Sequence, residues 1–231
     1  PCLAEKGSLL YNSSMSIRKV PFVQGEYYHI YNRGNSKQKI FHDKEDYKRF
    51  VGLLYACNQR GNLKVDDLKK DQGFFSIFRI GMIAGIGAYC LMPNHFHILI
   101  TEVEEGGISR FMQKLTTAYV MYYNKKYKRT GSLFEGKFKA QHLDYDTYLK
   151  YLFSYIHLNP VKLIQPDWKE KGIKDKDKVI NFFTNYKYSS FLDYLGVKRV
   201  QNKILNKSYF PKYFPNKKSF ISEILDWINY K

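Results

Sequence analysis

The chain has 231 residues and a mass of 27.4 kDa, which suffices for one sizeable core with appendages rather than for two clear domains. Lysine and arginine total 38 against 21 acidic residues. The formal net charge of +17 favours a polyanionic partner, because each phosphate contact releases counterions; a solvated, lysine-rich surface is the alternative explanation. No run of about 18 apolar residues occurs, so neither a membrane-spanning helix nor a membrane partner is expected.

The N-terminal residues and the cysteines carry little functional signal. Residues 1–21 lack a signal-peptide pattern. They are expected to form either a disordered arm or a non-native extension upstream of a protein that begins at Met15. Cys2, Cys57 and Cys90 show no Cys-x-x-Cys spacing. This favours reduced thiols in a cytoplasmic protein over a disulfide framework or a zinc site.

Residues 22–165 are predicted to form one domain of strands and helices. In chain order these are a strand at 26–31, a helix at 43–55 capped by Asp43, strands at 78–90 and 95–103, a helix at 109–127, a strand at 137–143 and a helix at 146–160. The polar stretch 61–73 is either a connection or the extension of a hairpin. The order βαββαβ is that of the split βαβ unit, so we expect an α+β, ferredoxin-like sandwich with an antiparallel sheet.

Residues 166–231 are predicted to form a C-terminal extension of helices and loops. It contains a charged loop at 168–178, a short helix at 188–195 and a terminal helix at 220–228. The extension is expected either to pack on the core or to contact a nucleic acid, and its sequence favours neither.

Two histidines flank one apolar residue in the most hydrophobic strand-like run of the chain. Side chains at positions i and i+2 of a strand share a face, so His95 and His97 project together while Phe96 points to the other face. Neutral imidazoles bind divalent cations, and a pair leaves positions for further oxygen ligands. Two hydrogen-bonded structural histidines are the alternative interpretation.

The helix predicted at 146–160 carries the second candidate site. Its apolar residues fall at the spacing of one helical face, and Tyr148, Tyr151, Tyr155 and Asn159 cluster on a neighbouring face. Pro160 disfavours helical geometry at the preceding residue, so the helix is expected to end near Asn159. Tyrosines at this spacing also serve in ordinary amphipathic packing.

Four ordered motifs carry a family resemblance: YHIYNRG at 28–34, MPNHFHIL at 92–99, GSLFEGKF at 131–138 and YIHLNPV at 155–161. Together they resemble the REP-associated tyrosine transposases, a branch of the single-tyrosine HUH transposase-like superfamily, over about residues 25–195. The resemblance implies a ferredoxin-like fold and a divalent metal, Mg²⁺ or Mn²⁺, held by His95, His97 and Asn159. It implies Tyr155 as the nucleophile, so that the catalytic set is Tyr155, His95 and His97.

The chemistry implied by this resemblance is nicking and strand transfer on single-stranded or hairpin DNA. A phenol is a poor nucleophile at neutral pH without help from a base, a metal or a positive field. A cation on the two histidines would stabilise charge at the scissile phosphate, and Tyr155 would form a 5′-phosphotyrosine and release a 3′-hydroxyl. The family resemblance also implies that a monomer could suffice, and a homodimer is the alternative.

Aromatic residues interleave with basic ones in several places, which suits stacking of unpaired bases along a cationic surface. One such run spans residues 122–129. The candidate DNA contacts are His29, Arg33, Lys125, Lys126, Arg129 and Lys137.

Two other functions fit the same residues. One is a nucleic-acid-binding protein that has lost catalysis but keeps the transposase fold. The other is a metal-dependent nuclease that uses water as the nucleophile, with Tyr155 in a structural role.

Overall fold

The computed structural model describes residues 21–62 and 73–229. The predictions for residues 1–20 and for most of the connection at 61–73 lie outside these ranges. The strands are β1 (Tyr27–Arg33), β2 (Ala84–Met92), β3 (His95–Glu102) and β4 (Lys139–His142). The helices are α1 (Lys44–Ala56), α2 (Gly107–Lys126), α3 (Asp146–Leu158), α4 (Trp168–Lys171), α5 (Lys176–Asn185), α6 (Phe191–Tyr194) and α7 (Lys217–Asn229). Within the described ranges, no helix has the length and apolar character to cross a membrane.

The four strands form one antiparallel sheet in the order β2-β3-β1-β4. Strand β3 lies between β2 and β1, so the two strands that flank helix α1 in sequence are not neighbours in the sheet. This is the arrangement of a split βαβ unit. The predicted α+β, ferredoxin-like fold with an antiparallel sheet is confirmed.

The two faces of the sheet bury different helices. One face packs Ile30, Phe96 and Ile98 against α1 and α2 in the larger of the hydrophobic clusters. The other packs Cys90 and Leu99 against the apolar side of α3. Because successive strand residues point to opposite faces, this second face also receives the side chains of residues 95 and 97.

The start of α1 shows why this helix forms where it does. The Asp43 carboxylate accepts hydrogen bonds from the backbone N–H groups of Glu45 and Asp46, and the Asp46 carboxylate accepts one from the Asp43 N–H. This reciprocal capping box satisfies donors that a helix start leaves unpaired. The predicted cap at Asp43 is therefore confirmed.

Strand β2 is shorter than the predicted strand at 78–90. It begins at Ala84, which pairs with Glu102 at the last position of β3. Residues before Ala84 have no β3 partner, Gly81 has a positive φ of 65°, and the side chain of Phe78 is 87% exposed. A strand needs a neighbour for its backbone hydrogen bonds, so the apolar pattern alone placed its start too early.

Two helix boundaries also differ from the sequence-based expectation. Helix α2 includes Gly107, where an added Cβ would meet the Ile83 carbonyl oxygen at 2.0 Å, so only glycine fits between the helix start and the end of the sheet. The segment predicted as a charged loop at 168–178 contains α4 and the first turn of α5. The Asp175 side chain caps α5 by accepting from the Lys178 N–H at 2.8 Å, which the charge pattern obscured.

The C-terminal residues pack on the domain core. The Leu91 N–H donates to the Tyr188 carbonyl, and the Ser190 N–H donates to the Tyr89 carbonyl, each at 3.0 Å, along the edge of β2. Helix α7 adds Phe220 to a third hydrophobic cluster behind α3. The division into a domain at 22–165 and an extension at 166–231 stays a prediction.

Candidate metal and tyrosine site

The first two residues that define the site lie at the start of β3. The imidazole rings of His95 and His97 share one face of the sheet, with ring centres 5.0 Å apart and planes at 86°. Phe96 points to the other face and contacts the rings of Phe50 and Phe134. The two histidine side chains therefore lie side by side on the sheet face opposite the one that packs against α1 and α2.

Each of these histidines uses its Nδ1 atom for a contact within the protein. His95 Nδ1 lies 2.6 Å from Asn94 Oδ1, and His97 Nδ1 lies 2.8 Å from His29 Nε2. Because an amide oxygen only accepts, His95 Nδ1 donates and its Nε2 keeps a lone pair. A metal-bound histidine characteristically donates its second nitrogen to a neighbour in this way. His95 therefore fits a divalent cation, and His97 fits one in the tautomer whose Nδ1 donates to His29.

Burial keeps the three histidine rings neutral at neutral pH. It lowers the pKa of His29 to about 3 and that of His95 to about 4, where the charges of Lys162 and Arg33 act in the same direction. The pKa of His97 is well below its ordinary range, chiefly through burial and then through the charge of neighbouring groups. Neutral imidazole is the form that binds metal.

Tyr155 on α3 completes the cluster of rings. Its ring lies edge-on at 5.7 Å from His97 and 6.0 Å from His29, measured between ring centres. The centre of the Tyr151 ring lies 5.9 Å from that of Tyr155, and the centre of the Tyr148 ring lies 5.9 Å from that of Tyr151. Among the described residues, Tyr155 is the tyrosine of α3 whose ring contacts the histidines.

Asn159 lies one turn after Tyr155, where α3 gives way to a tight helical turn at Asn159–Leu163. Its side chain is buried, and the amide nitrogen donates to the Tyr155 carbonyl at 2.8 Å. Pro160 lacks the N–H that a continuing helix needs, which explains the end of α3. The role of Asn159 as a metal ligand stays a prediction.

Lys162 and Lys169 border the site, although no sequence pattern indicated a role for either. Lys169 Nζ lies 4.7 Å from the centre of the Tyr155 ring. Burial and then the charge of Lys162 lower the pKa of Lys169, and both lysines contribute to the lowered pKa of His97. Neither belongs to a motif. Lys162 lies in the tight turn after α3 and Lys169 in the short helix α4, so their spacing along the chain gave no signal.

The two candidate DNA contacts on β1 have partners inside the protein. The His29 side chain is buried against His97, which leaves its ring little surface for DNA. The Arg33 guanidinium forms a two-pronged ion pair with Glu135 of the GSLFEGKF motif, with one N···O distance of 2.9 Å. Their roles as DNA contacts stay predictions.

The remaining four candidates differ in their freedom to reach a ligand. Lys125 and Lys137 have exposed side chains. Lys126 instead pairs with both carboxylates of the α1 capping box, at 2.7 Å each. Arg129 donates to the Ser132 carbonyl at 3.0 Å and lies over the ring of Tyr123. Lys125 and Lys137 are the two whose surroundings best suit contact with a phosphate.

The ligand types available near the histidines limit how a cation can be held. Across the part of the chain that the structure describes, no group of three or more histidine, cysteine or acidic side chains is arranged to hold a metal. A cation on His95 and His97 therefore needs oxygen ligands of another kind, such as an amide or a substrate phosphate.

Comparison with known proteins shows what these residues are similar to. Residues 81–159, from just before β2 to Asn159, match the family described as "Transposase IS200 like". A solved structure of a REP-associated tyrosine transposase bound to a REP hairpin is similar in fold, with a TM-score of 0.50 and 14% sequence identity, over 81% of this chain and 90% of that one. No curated protein matches the sequence. The predicted resemblance is confirmed, because the segment with the histidine pair and the tyrosine helix matches the IS200-like transposase family and the chain has the fold of a REP-associated tyrosine transposase.

Proposed function

We propose that this protein nicks single-stranded or hairpin DNA and transfers the strand through a covalent bond to Tyr155. The observation that carries the proposal is the contact of the Tyr155 ring with His97, the buried and neutral member of the histidine pair. Covalent attack on a phosphate needs a nucleophile and positive charge near the transition state, and a tyrosine beside a cation-binding pair can supply both. The family match over the same residues supports the assignment.

The reaction is a transesterification in which atoms and charge balance. The Tyr155 oxygen attacks the scissile phosphorus, and the bond from phosphorus to the 3′ oxygen breaks. The phenolic proton is lost and the departing 3′ oxygen gains one, which leaves a 5′-phosphotyrosine and a 3′-hydroxyl. Because one phosphodiester replaces another, a hydroxyl of the same or another strand can reverse the attack without ATP.

The side chains of His95, His97 and Asn159 would hold the divalent cation, Mg²⁺ or Mn²⁺. The cation supplies positive charge that stabilises the transition state at the phosphate. The protein keeps the imidazoles neutral by burial and fixes their Nδ1 atoms with Asn94 and His29. It also packs the apolar side of α3 against the sheet, which places Tyr155 beside His97.

The expected partner is a single strand or hairpin of DNA. The net charge of +17 supplies long-range attraction for a polyanion. Lys169 brings positive charge to Tyr155, and Lys162 brings it to the two histidines. The solved structure of similar fold holds a REP hairpin, which supports a hairpin as the first substrate to try.

A denaturing gel separates the proposal from the two other functions. We would incubate the full chain with Mn²⁺ and radiolabelled hairpin and single-stranded DNA. Strand transfer through tyrosine gives labelled DNA that migrates with the protein after denaturation. Free cleaved ends without protein would indicate a nuclease that uses water, and intact DNA that binds the protein in a native gel would indicate a binding protein.

A further inference from the structure

The buried contact between His29 and His97 is a distinctive polar feature of the site. Their Nε2 and Nδ1 atoms are 2.8 Å apart, although 68 residues separate them in sequence. The rings are 5.0 Å apart between centres, at an angle of 24°. His29 lies opposite Leu99 and His97 opposite Tyr31, so the two histidines are diagonal neighbours across β1 and β3.

Two neutral imidazoles can share one proton in this contact in two ways. In the first, His97 Nδ1–H donates to His29 Nε2, and His97 Nε2 keeps its lone pair. In the second, His29 Nε2–H donates to His97 Nδ1, and the proton of His97 sits on Nε2. Only the first arrangement leaves His97 a nitrogen that can bind a metal.

We propose that His29 is a positioning residue that accepts the Nδ1 proton of His97 and so holds His97 in its metal-binding tautomer. Asn94 does the same for His95, since its amide oxygen accepts the His95 Nδ1 proton at 2.6 Å. The two histidines thus have equivalent partners on opposite sides, one from β1 and one from the β2–β3 turn. His29 itself is not a ligand, because its Nε2 is occupied by His97.

This inference deepens the proposed function and rests on the metal site within it. It gives His29 a role other than the DNA contact expected from the sequence. A surface role would favour exposure, whereas the His29 side chain is buried and surrounded by the rings of His97, Tyr31 and Tyr155. Loss of such an outer partner characteristically lowers metal affinity about 10- to 100-fold.

The first test measures Mn²⁺ affinity of the full chain, without DNA, by the electron paramagnetic resonance signal of free Mn²⁺. His29→Phe keeps a ring but removes the acceptor, whereas His29→Gln places an amide oxygen near the former Nε2. We expect His29→Phe to bind Mn²⁺ about 10- to 100-fold more weakly and His29→Gln to stay within about threefold of the parent protein. His142→Phe, at an exposed histidine of β4 paired with Glu26, is the matched control and should not change the affinity.

Affinity of His29→Phe within threefold of the parent would overturn the inference. So would equal weakening in His29→Phe and His29→Gln, because ring packing rather than an acceptor would then matter. Thermal unfolding without metal establishes that each variant is folded.

The second test does not depend on metal binding. Long-range ¹H–¹⁵N correlation spectra of the metal-free protein report which ring nitrogen of His97 carries the proton. Protonation of His97 at Nδ1 in the parent protein and in His29→Gln, with a shift toward Nε2 in His29→Phe, would support the inference. Protonation at Nε2 in the parent protein would overturn it. If the parent binds no Mn²⁺, the metal site of the proposed function fails, and the spectra still decide the role of His29.

Discussion

At the scale of single residues, Tyr155 and Tyr151 lie one helical turn apart on α3 but differ in what their rings touch. The Tyr155 ring contacts His97 and His29, whereas the Tyr151 ring contacts its tyrosine neighbours. We expect Tyr155→Phe to fold and to bind hairpin DNA normally but to form no covalent adduct, because the change deletes only the attacking oxygen. The measurement is the labelled-adduct gel with Mn²⁺.

Tyr151→Phe is the matched control, since it makes the same change one turn away. It should retain adduct formation. If Tyr155→Phe forms the covalent adduct and Tyr151→Phe does not, the attacking residue is Tyr151 rather than Tyr155.

Lys169 places a positive charge over the proposed nucleophile, with Nζ 4.7 Å from the centre of the Tyr155 ring. We expect Lys169→Gln to slow adduct formation by roughly 5-fold, since one partly exposed charge contributes about 1 kcal/mol to a transition state. Single-turnover rates on the hairpin substrate provide the measurement.

Lys171→Gln is the control for this change, because Lys171 lies on the same short helix and pairs with Asp167. Its rate should match that of the parent. Equal rates of adduct formation by Lys169→Gln and the parent protein would show that the Lys169 charge does not assist the reaction.

At the scale of elements, the position of α3 depends on the C-terminal residues that follow it. The Ser190 hydroxyl lies 2.7 Å from His157 Nε2 of α3 and accepts from the Tyr89 N–H of β2 at 3.0 Å. All these atoms are buried, so one hydroxyl links the tyrosine helix to the sheet. The chain beyond α3 therefore helps to hold the helix that carries Tyr155 in place.

Ser190→Ala removes that link and leaves two buried polar atoms without their partner. We expect the free energy of unfolding to fall by about 1–3 kcal/mol, the usual cost of an unsatisfied buried group. Urea denaturation monitored by circular dichroism measures it. Thr184→Ala, which removes an exposed hydroxyl from α5, should change the free energy of unfolding by less than about 0.5 kcal/mol. Equal effects of the two changes would contradict the role of Ser190.

At the scale of the whole molecule, the net charge of +17 should appear in the salt dependence of DNA binding. If about four phosphates of a single strand are contacted, affinity should fall roughly 50-fold between about 50 and about 200 mM salt. Fluorescence anisotropy of labelled single-stranded, hairpin and duplex DNA across a salt titration measures it. A flat titration would argue against an electrostatic DNA surface, and a preference for plain duplex would argue against base stacking.

Much of the architecture follows from local patterns in the sequence. Alternation of strand side chains placed His95 and His97 on one face, and apolar spacing identified α3 and the end that Pro160 imposes on it. These features depend on residues a few positions apart, so the backbone period alone decides them. The order of strands and helices, and with it the ferredoxin-like class, could be predicted for the same reason.

The environment of the site was decided by tertiary structure alone. The contact of His29 with His97 depends on the register of β1 against β3. The pairing of Arg33 with Glu135 depends on the position of the loop before β4. The position of Lys169 over Tyr155 depends on the path of the chain after α3. Local periodicity does not predict such contacts, because the partners are distant in sequence and meet only when the helices and strands pack together. The sequence by itself therefore determined which side chains share a strand or helix face, and packing decided which of those faces meet and what surrounds the histidines and the tyrosine.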